Sequence, residues 1–261
     1  IRHPPLVPYY PLYATNEDVT MLFQLKLHQQ VAVLAISICL ALPVLAGDAV
    51  TDAMQAAYGP YRVALFKTNS NSQAEAQQAM TQAQQSWGKL AAQFGNKPPA
   101  PYDRDTAFGS SVADVSKVYA KATEQVRANQ LTAAHETLEA ARDIMAQLRR
   151  RNQVVVYSDH MNAYHSEMEH VLIDGGKTLA LPNGLQQLTA QVGALAYLSK
   201  KLSSEAPTNY RNNPEFVELL QAVDKSVADL QIALFAQNAS AVKEALGKIK
   251  TPYSKLFLKF G

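Results

Sequence analysis

From about Asp48 to the end of the chain, apolar residues return every three or four positions. Polar residues fill the gaps, and no stretch shows sustained period-two alternation. That is the pattern of amphipathic helices. Breakers and caps divide it into eight helical segments. The first runs from about Asp48 to Phe66 and ends in the polar turn 67–72, where Ser72 can cap a second helix reaching Phe94. Gly95 to Pro101 reads as a stiff linker. A hairpin follows, from about Thr106 to Ala128 and from Leu131 to Arg150, turning at Asn129-Gln130. The fifth helix is expected to start after Ser158 and stop at Gly175-Gly176, and the sixth to run from Pro182-Asn183-Gly184 to about Ser203. After a polar loop, Pro214 opens the last hairpin, which breaks at Gln237-Asn238 and continues to Phe260. Helices of this length on short loops predict an all-α fold of antiparallel hairpins, forming one or two up-down bundles.

Residues ahead of Asp48 follow a different pattern. Residues 1–20 have no helical or strand period and read as upstream translated sequence or an unstructured extension. Residues 21–46 read as a signal peptide. Lys26 and His28 precede the apolar run Val31 to Leu42, and Val44-Leu45-Ala46 offers small residues for cleavage before Gly47. An apolar run of about 12 to 16 residues is short of the roughly 20 that span a bilayer. The expectation is export to the periplasm with no membrane span after cleavage.

Cys39, the only cysteine, lies inside that apolar run. The exported part would therefore lack disulfides, thiolate metal sites, a Cys nucleophile and covalent c-type haem. Formal charge is nearly balanced at +2, and the one basic cluster, Arg149-Arg150-Arg151, ends a predicted helix, where cations meet the carbonyl end of the dipole. Nucleic acid is not an expected partner.

The chain resembles itself in two places. Ala64-Leu65-Phe66 recurs as Ala233-Leu234-Phe235, and the spacing Trp87, Leu90, Phe94-Gly95 recurs as Tyr253, Leu256, Phe260-Gly261. Such likeness predicts a first bundle half over 47–151 and a second over 152–261, or stacked hairpins of the solenoid kind.

Chemistry concentrates between Asp159 and His170. On a helix, Met161, Tyr164, His165, Met168 and Leu172 share a face with Glu169 beside it, while His160 and His170 point away from His165. A Met/Tyr stripe with a hydrogen-bonded His also suits a plain core, so two readings stand. In the functional one, His165 ligates a metal ion or haem iron. Met161 or Met168 would be the soft co-ligand, suiting copper or haem b, or Glu169 the hard one, suiting iron, zinc or manganese. A second helix must supply the rest. Candidates are Met54 and Tyr58 on the first helix and His135, Glu136, Glu139 and Asp143 on the fourth, with His160 as a further imidazole of the segment. Glu167-Met168-Glu169-His170 has the Glu-x-x-His spacing of di-iron bundles but no second copy.

Ala163-Tyr164-His165-Ser166-Glu167-Met168-Glu169, with the leader and the two related helical halves, resembles the imelysin-like periplasmic proteins. Their motif is Gly-x-His-x-x-Glu; Ala163 stands at the Gly position, and acids stand two and four residues after His165. The resemblance implies an association with iron. The bundle with its His/Met pair is also similar to four-helix b-type cytochromes, which implies haem. No phosphate-cradling glycine loop, Gly-x-Ser-x-Gly elbow or His-Glu-x-x-His pair is present, so the expected function is non-catalytic. It is binding of copper, iron or haem through the fifth helix or, alternatively, an adaptor of stacked hairpins that holds a protein partner.

Overall fold

Amphipathic spacing becomes helix through most of residues 48–261, the part of the chain that the computed structural model describes. The expected extension and signal peptide lie outside the described residues. The helices are α1 (Ala49–Asn69), α2 (Gln73–Phe94), α3 (Phe108–Arg127), α4 (Leu131–Arg151), α5 (Tyr157–Leu179), α6 (Gly184–Ser204), α7 (Pro214–Phe235), α8 (Ala239–Leu246) and α9 (Lys250–Phe260). A 3-10 turn at Tyr102–Arg104 and a single helical turn at Thr208–Arg211 punctuate the longer connections. Among the described residues there is no strand, and no helix is long and apolar enough to cross a membrane.

Short polar side chains set several helix starts. The Asp48 carboxylate accepts from the Thr51 N–H at 2.8 Å, Asn213 accepts from Glu215 and Phe216 with Pro214 in the first turn, and Asn238 accepts from Ala241. Four helix ends share one device. Asn71, Asn129, Gln153 and Gln237 adopt φ of 55–58°, and the next amide closes back on the last turn, as Gln130 N–H does on the Gln125 carbonyl at 2.8 Å.

Three boundaries differ from the sequence reading, each for a local reason. Helix α5 passes through Gly175-Gly176 to Leu179. A Cβ on Gly175 would stand 3.2 Å from Leu246 Cδ1, so this glycine allows close packing and does not stop the helix. The start of α5 is not capped by Ser158, whose buried hydroxyl has no partner; Asp159 instead reaches back to the Val156 N–H at 3.1 Å. The expected final helix is two, α8 and α9, separated at Gly247 to Ile249.

Helices α1 and α2, α3 and α4, and α5 and α6 pair as hairpins; α2 packs on α3, α1 on α4, and α7 on α6, α8 and α9. Apolar residues collect in two clusters. One is drawn from Val50 to Leu148 around Trp87, Tyr61, Tyr119 and Met80, the other from Tyr157 to Phe260 around Tyr164, Phe216 and Leu230. Trp87, Leu90 and Phe94 are buried in the first, and Tyr253, Leu256 and Phe260 in the second. Residues 48–261 nevertheless form one compact unit, and Phe257 packs against both clusters.

Polar contacts run along the join between the clusters. Arg149, nearly fully buried, grips Asp159 with two guanidinium nitrogens and lays a third on Met54 Sδ at 3.6 Å. The Tyr58 hydroxyl donates to Asn162 Oδ1 at 3.2 Å, and Arg62 donates to the Phe257 carbonyl at 3.1 Å. Arg149 is thus more than a favourable charge at a helix end: it ties the close of α4 to the start of α5.

Candidate functional site

Further along this join, α1, α4, α5 and α9 line a partly open cavity of about 50 Å³. Helix α4 contributes His135, Glu139 and Arg142, whose spacing of four and three residues puts them on one face. Helix α5 contributes His165 and Met168, and α9 contributes Lys250 and Tyr253. Glu139 is the centre. Its Oε1 lies 3.5 Å from His165 Nε2, 3.8 Å from His135 Nε2 and 3.5 Å from an Arg142 nitrogen.

His135 is held in a defined tautomer. Its Nδ1 lies 3.1 Å from the Leu65 carbonyl, which can only accept, so Nδ1 carries the proton and the Nε2 lone pair points toward Glu139. Burial pushes its pKa below the ordinary imidazole value, against the pull of Glu139 and the Leu65 carbonyl, and favours the neutral ring. A lone pair then faces a carboxylate oxygen across 3.8 Å with no proton between them. His165 packs on the Tyr253 ring, centroid to centroid 5.5 Å, which fixes its plane. Its contact with Glu139 is long for a hydrogen bond. Even so, His165 is the largest influence on Glu139 and, with Arg142, outweighs partial burial and holds the carboxyl at about 2.

The side chains expected to act together on α5 separate. His165 and Met168 border the cavity. Met161 is buried in the second apolar cluster, where its carbonyl accepts from the Tyr253 hydroxyl at 3.0 Å. Glu169 is paired with Lys250 at 3.0 Å, Met54 is covered by Arg149, and His160 lies toward the charges of Lys201 and Glu205. His170 is exposed, 3.8 Å from Glu167. The carboxylate nearest His165 therefore comes from α4 and not from its own helix. Of the α4 candidates, His135 and Glu139 reach the cavity; Arg142 and Lys250 do so without having been singled out in the sequence.

The three groups are strung around one oxygen and not closed on a common point. Among the described residues, no set of three or more His, Cys, Asp or Glu side chains stands ready to hold a metal ion. Larger hollows lack this chemistry. The groove of about 510 Å³ between α7 and α8 is open, floored by alanines and edged by the paired ions Lys225–Asp229 and Glu244–Lys248.

The architecture defines an all-α helical-bundle protein. No protein-family model, curated protein or solved structure matches the chain.

Proposed function

We propose that this is an exported, non-catalytic protein of the periplasm that binds a transition-metal ion, copper or iron, between its two helical halves. The ligands are His135 and Glu139 of α4 and His165 of α5. The observation that carries the reading is the pair of imidazole nitrogens within 3.8 Å of one carboxylate oxygen, with His135 Nδ1 tied to a backbone carbonyl. A hydrogen bond at the far nitrogen is how proteins orient a metal-binding histidine. Space favours a bare ion over haem: the cavity is about 50 Å³, whereas pockets for cofactor-sized ligands run to roughly 300 Å³ and more. The apolar run Val31 to Leu42, followed by Val44-Leu45-Ala46, supports export.

Elemental analysis of the untagged protein tests this. Stoichiometric copper or iron, lost from both His165→Ala and His135→Ala while helicity by circular dichroism persists, is the expected result. A protein that stays metal-free and takes up no added copper or iron contradicts it. Amino-terminal sequencing of the periplasmic fraction should begin at Gly47.

A protein-binding adaptor is the second reading. It draws support from Ile232 and Phe235, which are 65% and 70% exposed near the end of α7, with Leu181 half-exposed beside Phe235. Single exposed apolar residues are ordinary on a protein surface, so the cavity carries more weight.

A further inference from the structure

Charges along the groove between α7 and α8 are ordered so that the groove complements itself. We infer that its occupant is α7 of a second copy of this chain, laid antiparallel across a two-fold axis. The groove shares no lining residue with the cavity of His135, Glu139 and His165, so the inference is independent of the metal reading.

The floor is made of small side chains, Ala222, Ser226, Ala233 and Ala236 of α7 with Ala241 and Ala245 of α8, which let another helix settle close. Ile232 stands on the α7 edge and is 65% exposed. The order of charges follows from the hairpin. Asp229 lies about two helical turns before the connection at Ala236–Asn238, and Glu244 lies about as far after it; Lys225 and Lys248 are each one turn further away. Because α8 runs back along α7, the two acids form one band across the groove and the two lysines form the next. Within the helices, Lys225 pairs with Asp229 at 2.8 Å and Lys248 with Glu244 at 2.5 Å. Glu244 and, from across the groove, Asp229 hold Lys248 above the ordinary ammonium value.

A two-fold axis at the level of Val227 sets each band on its opposite. Lys225 then meets the partner's Asp229 and the partner's Glu244, Asp229 meets the partner's Lys225 and the partner's Lys248, and Ile232 reaches the space over the partner's Ala222. An antiparallel docking shifted by one turn, or a parallel one in register, sets like charges together. The pattern therefore selects a closed, isologous pair in a single register.

Sedimentation velocity of the full chain over a range of concentrations tests this. The wild type should move reversibly between one and two chain masses. Ile232→Gln, at an exposed position and with helicity kept by circular dichroism, should weaken association about tenfold or more, since the lost apolar contact occurs twice in the pair. Two variants give a sharper reading. Lys225→Glu with Lys248→Glu makes both bands acidic, and Asp229→Lys with Glu244→Lys makes both basic. Each should be monomeric alone, and the two mixed should form a one-to-one dimer that Ile232→Gln in both weakens. A wild type that stays monomeric at every concentration overturns the inference and leaves the groove to a helix of another protein. A wild-type dimer indifferent to Ile232→Gln, or acidic and basic variants that stay apart when mixed, overturns it as well.

Discussion

One oxygen of Glu139 lies within 3.8 Å of two imidazoles and a guanidinium, and its low pKa has a consequence for stability. Its carboxyl titrates at about 2 in the folded chain against 4.5 ordinarily. The folded form is therefore the weaker proton binder. The stabilisation is complete above pH 4.5 and is lost as pH falls toward 2. The side chain is 36% exposed, so solvent screening reduces the contribution to on the order of 1 kcal/mol. Urea unfolding across that window should show a shallower acid loss in Glu139→Gln than in the wild type; parallel curves would refute the assignment. Arg149 offers a larger effect. Arg149→Ala leaves Asp159 without its cation and should cost about 3 kcal/mol by the same measurement, since breaking a buried ion pair from one side strands the other charge. A loss below about 0.5 kcal/mol would class the pair with ordinary surface ion pairs.

At the scale of the helix, glycine has two roles that sequence spacing does not separate. Gly175 and Gly176 are adjacent in α5. A Cβ at Gly175 meets Leu246 and Leu188, whereas one at Gly176 meets nothing within 4 Å. Gly176→Ala should therefore stabilise by about 0.5–1 kcal/mol through helix propensity, and Gly175→Ala by clearly less. Equal thermal shifts would show that Leu246 does not constrain the site. Gln237, with φ of 55°, occupies a left-handed cap without glycine's freedom, so Gln237→Gly should raise the melting temperature. The helices themselves were legible because their apolar spacing is regular and their turns carry Asn, Gln and Pro. The passage of α5 through Gly175 was not, because its cause is Leu246, some seventy residues on. The candidate site divides in the same way. His165 and Met168 could be placed together from one helix, and His135 and Glu139 could be named as candidates on another. Their meeting depends on how α4 docks against α5, and the neutralising partners Arg142 and Lys250 emerge only from that docking.

Across the whole molecule, two apolar clusters meet along a polar join, and the proposed ion would bridge the clusters where α4 faces α5. An ion that binds only the folded chain adds stability by mass action, about 2.7 kcal/mol at a hundredfold excess over its dissociation constant. For a chain of this size that corresponds to a rise of about 5–10 °C in melting temperature, reversed by a chelator. Because the ligands come from both halves, the ion should raise the unfolding of both together. A shift confined to one of two transitions would place the ion inside a single half.

The most direct test is anomalous diffraction from crystals of the protein loaded with copper, recorded on either side of the copper edge. One strong peak is expected between α4 and α5, about 2.0–2.1 Å from the Nε2 atoms of His135 and His165. A fully loaded crystal with its peak elsewhere, for instance at the exposed His170 beside Glu167, would contradict it.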